Sequence, residues 1–141
     1  MSDVPAWNEK PLPRPDPDSR EYWRACREHR LLIQECAVCG HLQFYPRVIC
    51  TACRGRELGW KEAMGTGSVY SYTVVRRPPS DAFAKDVPYV LALIDLDEGV
   101  RLMTNVIGCN PEEVVIGMRV GVSFQDVSPD LALPMFSPIT A

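Results

Sequence analysis

Cys36-Ala-Val-Cys39 and Cys50-Thr-Ala-Cys53 are two Cys-x-x-Cys pairs with ten residues between them. That arrangement points to one tetrahedral metal site. Two intervening residues let both sulfurs of a pair turn toward one ion, and zinc takes thiolate sulfur at about 2.3 Å. Gly40 follows the first pair and adopts a positive φ at little cost, so backbone N–H groups can face the thiolates. Arg54 holds the same place after the second pair, with Gly55 behind it, and a less regular knuckle is expected there. Four thiolates around Zn²⁺ leave roughly two negative charges, which Arg47 and Arg54 offset in part. Sulfur fills all four positions, so no water is activated and the metal is expected to hold a fold together. Buried free thiols, disulfides or a redox Cys-x-x-Cys fit two matched pairs less well.

The remaining chemistry-bearing residues are sparse. Cys26 and Cys109 read as small apolar residues, and no basic neighbour stands out to activate Cys109. His41 is spare once four cysteines are in place, and His29 reads as a surface residue near a helix end. Neither histidine has a triad-like context.

These residues sit on a chain of 141 residues, enough for one domain of ordinary size or a small module beside a larger one. The hydrophobic share of 46% and charged share of 23% are those of a globular protein. A formal charge of −3 argues mildly against nucleic acid, because phosphate binding wants a basic surface. No apolar run approaches a membrane span. The start, Met-Ser-Asp-Val-Pro, lacks a basic-then-apolar leader. A cytoplasmic protein with reduced thiols is therefore expected.

The elements that must position the cysteines follow in order. Residues 1–17 carry five of the thirteen prolines, which predicts an extended arm in which Trp7 is a natural anchor. A helix is expected over 18–30, capped by Asp18 or Ser19, and Asp18-x-x-Glu21 resembles a capping box. Arg20, Arg24 and Arg27 form a basic stripe on it, read first as a solvated face. A zinc ribbon follows over 31–57, with Leu31–Glu35 as a strand entering the first knuckle and His41–Tyr45 leaving it. Phe44 and Tyr45 are expected to cover this lobe, which has little core of its own, a deficit zinc offsets.

From 58 to 141 the pattern is all strand. Leu58–Glu62 is short, and Gly65-Thr66-Gly67 reads as a hinge, since a strand and not a helix follows it. The strand from Ser68, the apolar run Tyr89–Leu96, the hairpin strand after Asp97-Glu98-Gly99, the alternating Met118–Gln125 and a last strand over Leu131–Phe136 make five. Pro134 suggests that the last is an edge. A short helix at Asn110-Pro111-Glu112-Glu113 falls between the third and fourth. The predicted fold is mainly β: an N-terminal helix, a rubredoxin-like zinc ribbon, and a C-terminal five-stranded OB-fold barrel.

This order resembles one family, the OB-fold and zinc-ribbon domain associated with acyl-CoA metabolism and long filed under unknown function. The match is carried by Tyr22-Trp23, Gln34-Glu35-Cys36, Cys39-Gly40, Phe44-Tyr45-Pro46-Arg47 and Cys50-x-x-Cys53. It continues through Gly67–Val75, Pro88-Tyr89-Val90, Ile116–Val120 and Leu133-Pro134-x-Phe136, covering about residues 18–138. The resemblance implies a non-catalytic subunit that sits beside a thiolase-fold enzyme: a thiolase, a synthase, or a lipid-transfer-protein-like aldolase that cuts CoA-thioester side chains, including those of steroids. It implies further that the subunit steadies that enzyme and helps shape its CoA or acyl channel. Trp23, Phe44, Tyr45 and Arg47 are then the expected partner contacts. On the 76–85 loop, Arg76, Arg77 and Lys85 suit CoA phosphates, and Phe83 suits adenine or acyl chain. The alternatives are a single-stranded nucleic-acid module, for which Tyr70 and Tyr72 would be the stacking residues, and an enzyme in its own right, for which no nucleophile motif or open metal position is present.

Overall fold

The computed structural model describes residues 10–139. Most of the anticipated contribution of the arm, including Trp7, lies outside the described residues, and residues 11–16 carry no regular secondary structure. The first helix, α1, spans Arg20–Arg27 and buries Tyr22, Ala25 and Cys26 on one face. The expected capping box does not form. Ser19 is the N-cap, but its hydroxyl donates to Asp16 Oδ1 at 2.7 Å instead of capping the helix. Glu21 pairs with Arg24 at 2.9 Å. At the other end His29 adopts φ +62. Its N–H donates to the Cys26 carbonyl and that of Arg30 to the Ala25 carbonyl, both at 2.9 Å, so the chain reverses tightly.

The ribbon is a three-stranded antiparallel sheet in the order β2-β1-β3, with β1 Leu32–Cys36, β2 Leu42–Gln43 and β3 Leu58–Glu62. β2 is only two residues long, shorter than the His41–Tyr45 strand expected. The Leu58–Glu62 strand, grouped by sequence with the barrel, pairs along its whole length with β1, from Leu32↔Glu62 to Cys36↔Leu58.

The other five strands close a barrel in the order β4-β5-β6-β8-β7: β4 Thr66–Val75, β5 Tyr89–Leu96, β6 Arg101–Val106, β7 Arg119–Ser128 and β8 Leu131–Pro138. This is the strand order of an OB-fold. A three-residue 3₁₀ turn, Pro111–Glu113, stands where the short helix was expected between β6 and β7, and Asn110 N–H donates to Glu113 Oε1 at 3.1 Å. Inward positions of alternate strand residues, among them Val69, Ile94, Leu102, Val120 and Phe136, make one core with Tyr22, Cys26 and Ile33. β8 is not an edge: it pairs with β7 from Val120↔Pro138 to Ser128↔Leu131. On its other side it meets β6 through a single parallel bridge, Val106↔Phe136. Pro134 has no N–H to give, and Thr104 Oγ1 donates to its carbonyl at 2.8 Å.

Gly67 shows why the hinge is glycine. A Cβ there would lie 2.4 Å from the Asp95 carbonyl oxygen, so β4 and β5 approach too closely for any side chain.

Candidate metal centre and aromatic cleft

The two knuckles bring all four cysteine sulfurs within 4.8 Å of one another. Cys36 Sγ and Cys53 Sγ lie 3.6 Å apart, and Cys39 Sγ and Cys50 Sγ 3.7 Å apart. Tetrahedral zinc–sulfur bonds require an edge of roughly 3.8 Å, so the donor set fits the ion. The knuckles are alike. Val38 and Cys39 amides point to Cys36 Sγ at 3.4 and 3.5 Å, and Ala52 and Cys53 amides to Cys50 Sγ at the same distances. The irregularity expected of the second knuckle is absent because Arg54 itself takes the left-handed turn, φ +66, where Gly40 has φ +78.

These amides favour thiolate. The Cys53 amide, above other influences, draws the Cys50 thiol down to about 6. The Cys39 and Val38 amides lower Cys36. Crowding four thiolates without a cation is unfavourable: the Gly55 amide draws Cys53 down, yet the sulfurs of Cys36 and Cys39 outweigh it and push that thiol up to about 12. A divalent cation resolves this conflict, and with four sulfur ligands it has no position left for a substrate. His41 stays out of the set, with Nε2 3.1 Å from Thr51 Oγ1.

A pair of buried amide side chains braces the lobe. Gln34 and Gln43 are 4% and 5% exposed. Gln43 Nε2 donates to Gln34 Oε1 at 2.9 Å, and Gln43 Oε1 accepts from the Thr51 amide at 2.9 Å. Gln34 holds the backbone of Arg47 (see Discussion). The 44–51 segment is thereby fixed against β1 and β2.

Trp23, Phe44, Tyr45 and Arg47 are brought together along one wall of a cleft of about 480 Å³. Tyr22 lies between Trp23 and Phe44, with ring centroids 4.8 and 5.2 Å away in edge-on contacts. Arg101–Asn105 of β6 and Leu133–Met135 of β8 line the same cleft. Sequence reasoning did not single out Arg101 or Met103. Their alternation with inward Leu102 and Thr104 was the available signal. Arg101 donates to both carboxylate oxygens of Asp95, at 2.6 and 3.2 Å, and its guanidinium covers the Tyr70 ring 3.4 Å from the centroid.

The other four expected contact residues do not join this cleft. Phe83 lines a second cavity of about 400 Å³ with Lys10, Asp86 and Tyr89. Lys10 is buried, pairs with Asp86 and lies over the Phe83 ring. Arg76 is exposed and 3.3 Å from Glu112. Arg77 and Lys85 are exposed on the same loop and line neither cavity.

The chain matches two family profiles: the rubredoxin-like zinc ribbon domain of ChsH2 over residues 23–59, and the C-terminal OB-fold domain of ChsH2 over residues 60–125. The cysteine cluster is therefore a structural zinc site. A DUF35 domain-containing scaffold protein of Methanocaldococcus jannaschii is 41% identical over 110 residues, 77% of each chain. A probable enoyl-CoA hydratase alpha subunit of Thermomonospora curvata is 41% identical over 129 residues, 92% of this chain; the chain spans 40% of the length of that relative. Among solved structures, the Ltp2-ChsH2(DUF35) aldolase matches with a TM-score of 0.82 and 41% identity, over 90% of this chain and 98% of the matched one. By these profiles and identities, the chain belongs to the DUF35 family of ChsH2-type zinc-ribbon and OB-fold proteins.

Proposed function

We propose that this chain is a non-catalytic subunit that binds and steadies a thiolase-fold acyl-CoA enzyme. The observation that carries the reading is the aromatic cleft between the two lobes. Tyr45 is 44% exposed and Met103 65% exposed, so the cleft presents large apolar side chains to solvent beside the rings of Trp23 and Phe44. The zinc lobe fixes one wall and the barrel the other. The likeness to the solved Ltp2-ChsH2(DUF35) aldolase supports an assembly of this kind.

The partner is a thiolase, a synthase or a side-chain-cleaving aldolase acting on a lipid or steroid CoA thioester. The shared interface helps form the CoA or acyl channel, with the 76–85 loop (Arg76, Arg77, Phe83, Lys85) at its rim. A reducing, cytoplasmic setting suits four zinc-bound thiolates. Nucleic acid is disfavoured: the acidic balance repels phosphate, and Arg101 already covers one face of Tyr70.

Co-expression with a thiolase-fold acyl-CoA enzyme of the same organism is the test. One heteromeric species in gel filtration, with turnover that neither chain shows alone, is the expected result. Two separate peaks and enzyme turnover indifferent to mixing would remove the proposal.

A further inference from the structure

We infer that Lys10 is a positioning residue for partner recognition: its buried ammonium ties the 76–88 loop to a strap that runs back to α1, and so holds that loop in the form that docks. The docking half of this rests on the subunit reading above. The tie itself belongs to this chain alone.

The loop has little else to hold it. It joins β4 to β5, the first two strands of the barrel. The loop in that place is one of those through which OB-folds contact their ligands. Its regular structure is one 3₁₀ turn, Asp81–Phe83. The backbone bonds of that turn stay inside the loop: the Phe83 N–H donates to the Ser80 carbonyl at 3.0 Å, Ala84 to Asp81 at 3.1 Å and Asp86 to Phe83 at 3.0 Å. The ion pair of Arg76 with Glu112 is exposed on both sides, and such pairs contribute little.

Lys10 differs. Its side chain is 5% exposed, whereas that of Asp86, its ion-pair partner, is 37% exposed. Lysine is almost never buried this far unless paired. Its Nζ also lies 5.5 Å from the centroid of the Phe83 ring, and that ring leans on Tyr89 of β5 with centroids 6.2 Å apart. One ammonium therefore holds the loop at two points, Phe83 and Asp86, where both line the second cavity.

The strap is stiff and its far end is fixed. Pro11, Pro13 and Pro15 restrict the backbone between Lys10 and Asp16. The Ser19 N–H donates to Asp16 Oδ1 at 2.9 Å, and the Asp16 N–H donates to Ser19 Oγ at 3.2 Å, directly before the first turn of α1. A restricted stretch has less entropy to lose in holding a loop. A loop ordered beforehand then binds without the entropic loss of ordering.

The test reads amide hydrogen exchange over 80–87 in the zinc-loaded full chain, for the parent, Lys10→Met, Asp86→Asn and the double variant. Lys10→Met keeps the stem and leaves a carboxylate that water can reach, so exchange should quicken about ten-fold. Asp86→Asn strands a buried ammonium, and exchange should quicken about 100-fold. The double variant removes the stranded charge and should return to the Lys10→Met rate, a coupling that independent packing losses would not give. Amides 90–96 and 101–106 and the zinc content should stay as in the parent. With the thiolase-fold enzyme that forms the complex, Lys10→Met should weaken binding about five-fold. Parent-like exchange over 80–87 in both single variants, or a double variant looser than Asp86→Asn, overturns the tie. A loosened loop with unchanged affinity for the partner overturns the positioning role and leaves the subunit reading standing. If the parent forms no complex, the subunit reading falls and the docking half with it, while exchange in the free chain still decides the tie.

Discussion

Gln34 grips Arg47 by both of its backbone groups: Gln34 Nε2 donates to the Arg47 carbonyl at 2.9 Å, and the Arg47 N–H donates to Gln34 Oε1 at 2.8 Å. A glutamine on β1 thus substitutes for a neighbouring strand. The segment after β2 is too irregular to pair, and Pro46 lacks a donor, so a buried side chain does the pairing.

Replacing Gln34 by leucine keeps the volume but leaves those two groups, and Gln43 Nε2, short of a partner. The loss is expected to be about 1–3 kcal/mol. Chemical denaturation followed by fluorescence measures it. A variant as stable as the parent would show that water takes over both bonds.

Zinc removal separates the lobes' dependence on the metal. Elemental analysis should find about one zinc per chain. A strong chelator, or Cys36→Ser, should disorder the knuckles while the barrel keeps its strand signal. Protons compete with zinc for thiolate, so metal should also be released as pH falls. Unchanged exchange rates for amides 37–55 after complete zinc loss would contradict the prediction.

Asp97 ties three elements together. Its carboxylate accepts from both terminal nitrogens of Arg119, each at 2.8 Å, and from Thr66 Oγ1 at 2.6 Å. Arg119, and then Thr66, hold this carboxyl well below the usual carboxylate range. A depressed folded-state value means the stabilisation is fully present above the unfolded value, about 3.9, and is lost progressively as pH falls from there through the folded value. Asp97→Asn should therefore lower the melting temperature modestly at pH 7, because the pair is largely exposed. The difference should shrink below about pH 4. A difference that grows on acidification would reverse the assignment.

Cys26 is wholly buried, and burial pushes its thiol up to about 12 despite a hydrogen bond with Tyr22. It should resist alkylation at pH 8 in the native chain and react only on unfolding. Mass mapping after a timed iodoacetamide pulse reads this. Rapid native labelling would mean that α1 opens far more readily than its packing implies.

Gly67→Ala forces a methyl group against the Asp95 carbonyl, an atom that cannot rotate away. The expected cost is about 1–3 kcal/mol, seen as a lower denaturant midpoint. A neutral result would mean that β4 shifts its register freely.

The metal site was legible because its signal is local: two short spacings determine four ligands. The barrel was legible from alternation, as in Met118–Gln125. What escaped was membership and contact at long range. Leu58–Glu62 reads as a strand in either lobe, and only its pairing with Leu32–Cys36 decides. The Asp18-x-x-Glu21 capping box failed because the helix starts one residue later, with Ser19 as N-cap, so Glu21 falls short of the third helical position and pairs with Arg24 instead. Pro134 signalled a missing donor correctly, but the outcome is a strand inside a closed barrel, joined to β6 by one bridge and by the Thr104 hydroxyl, rather than an outer edge. The cleft draws on four separate segments, so no single window contains Trp23, Arg47, Met103 and Pro134 together.

Between β3 and β4 lie only residues 63–65. Ala63 N–H donates to the Leu31 carbonyl at 2.8 Å, and the Gly65 carbonyl accepts from Val122 N–H at 2.7 Å. The joint is clamped from both sides, which leaves no slack for swivelling. Torque applied to the cysteine lobe therefore reaches the barrel undamped, and the molecule acts as a stiff lever whose two arms cannot be positioned independently.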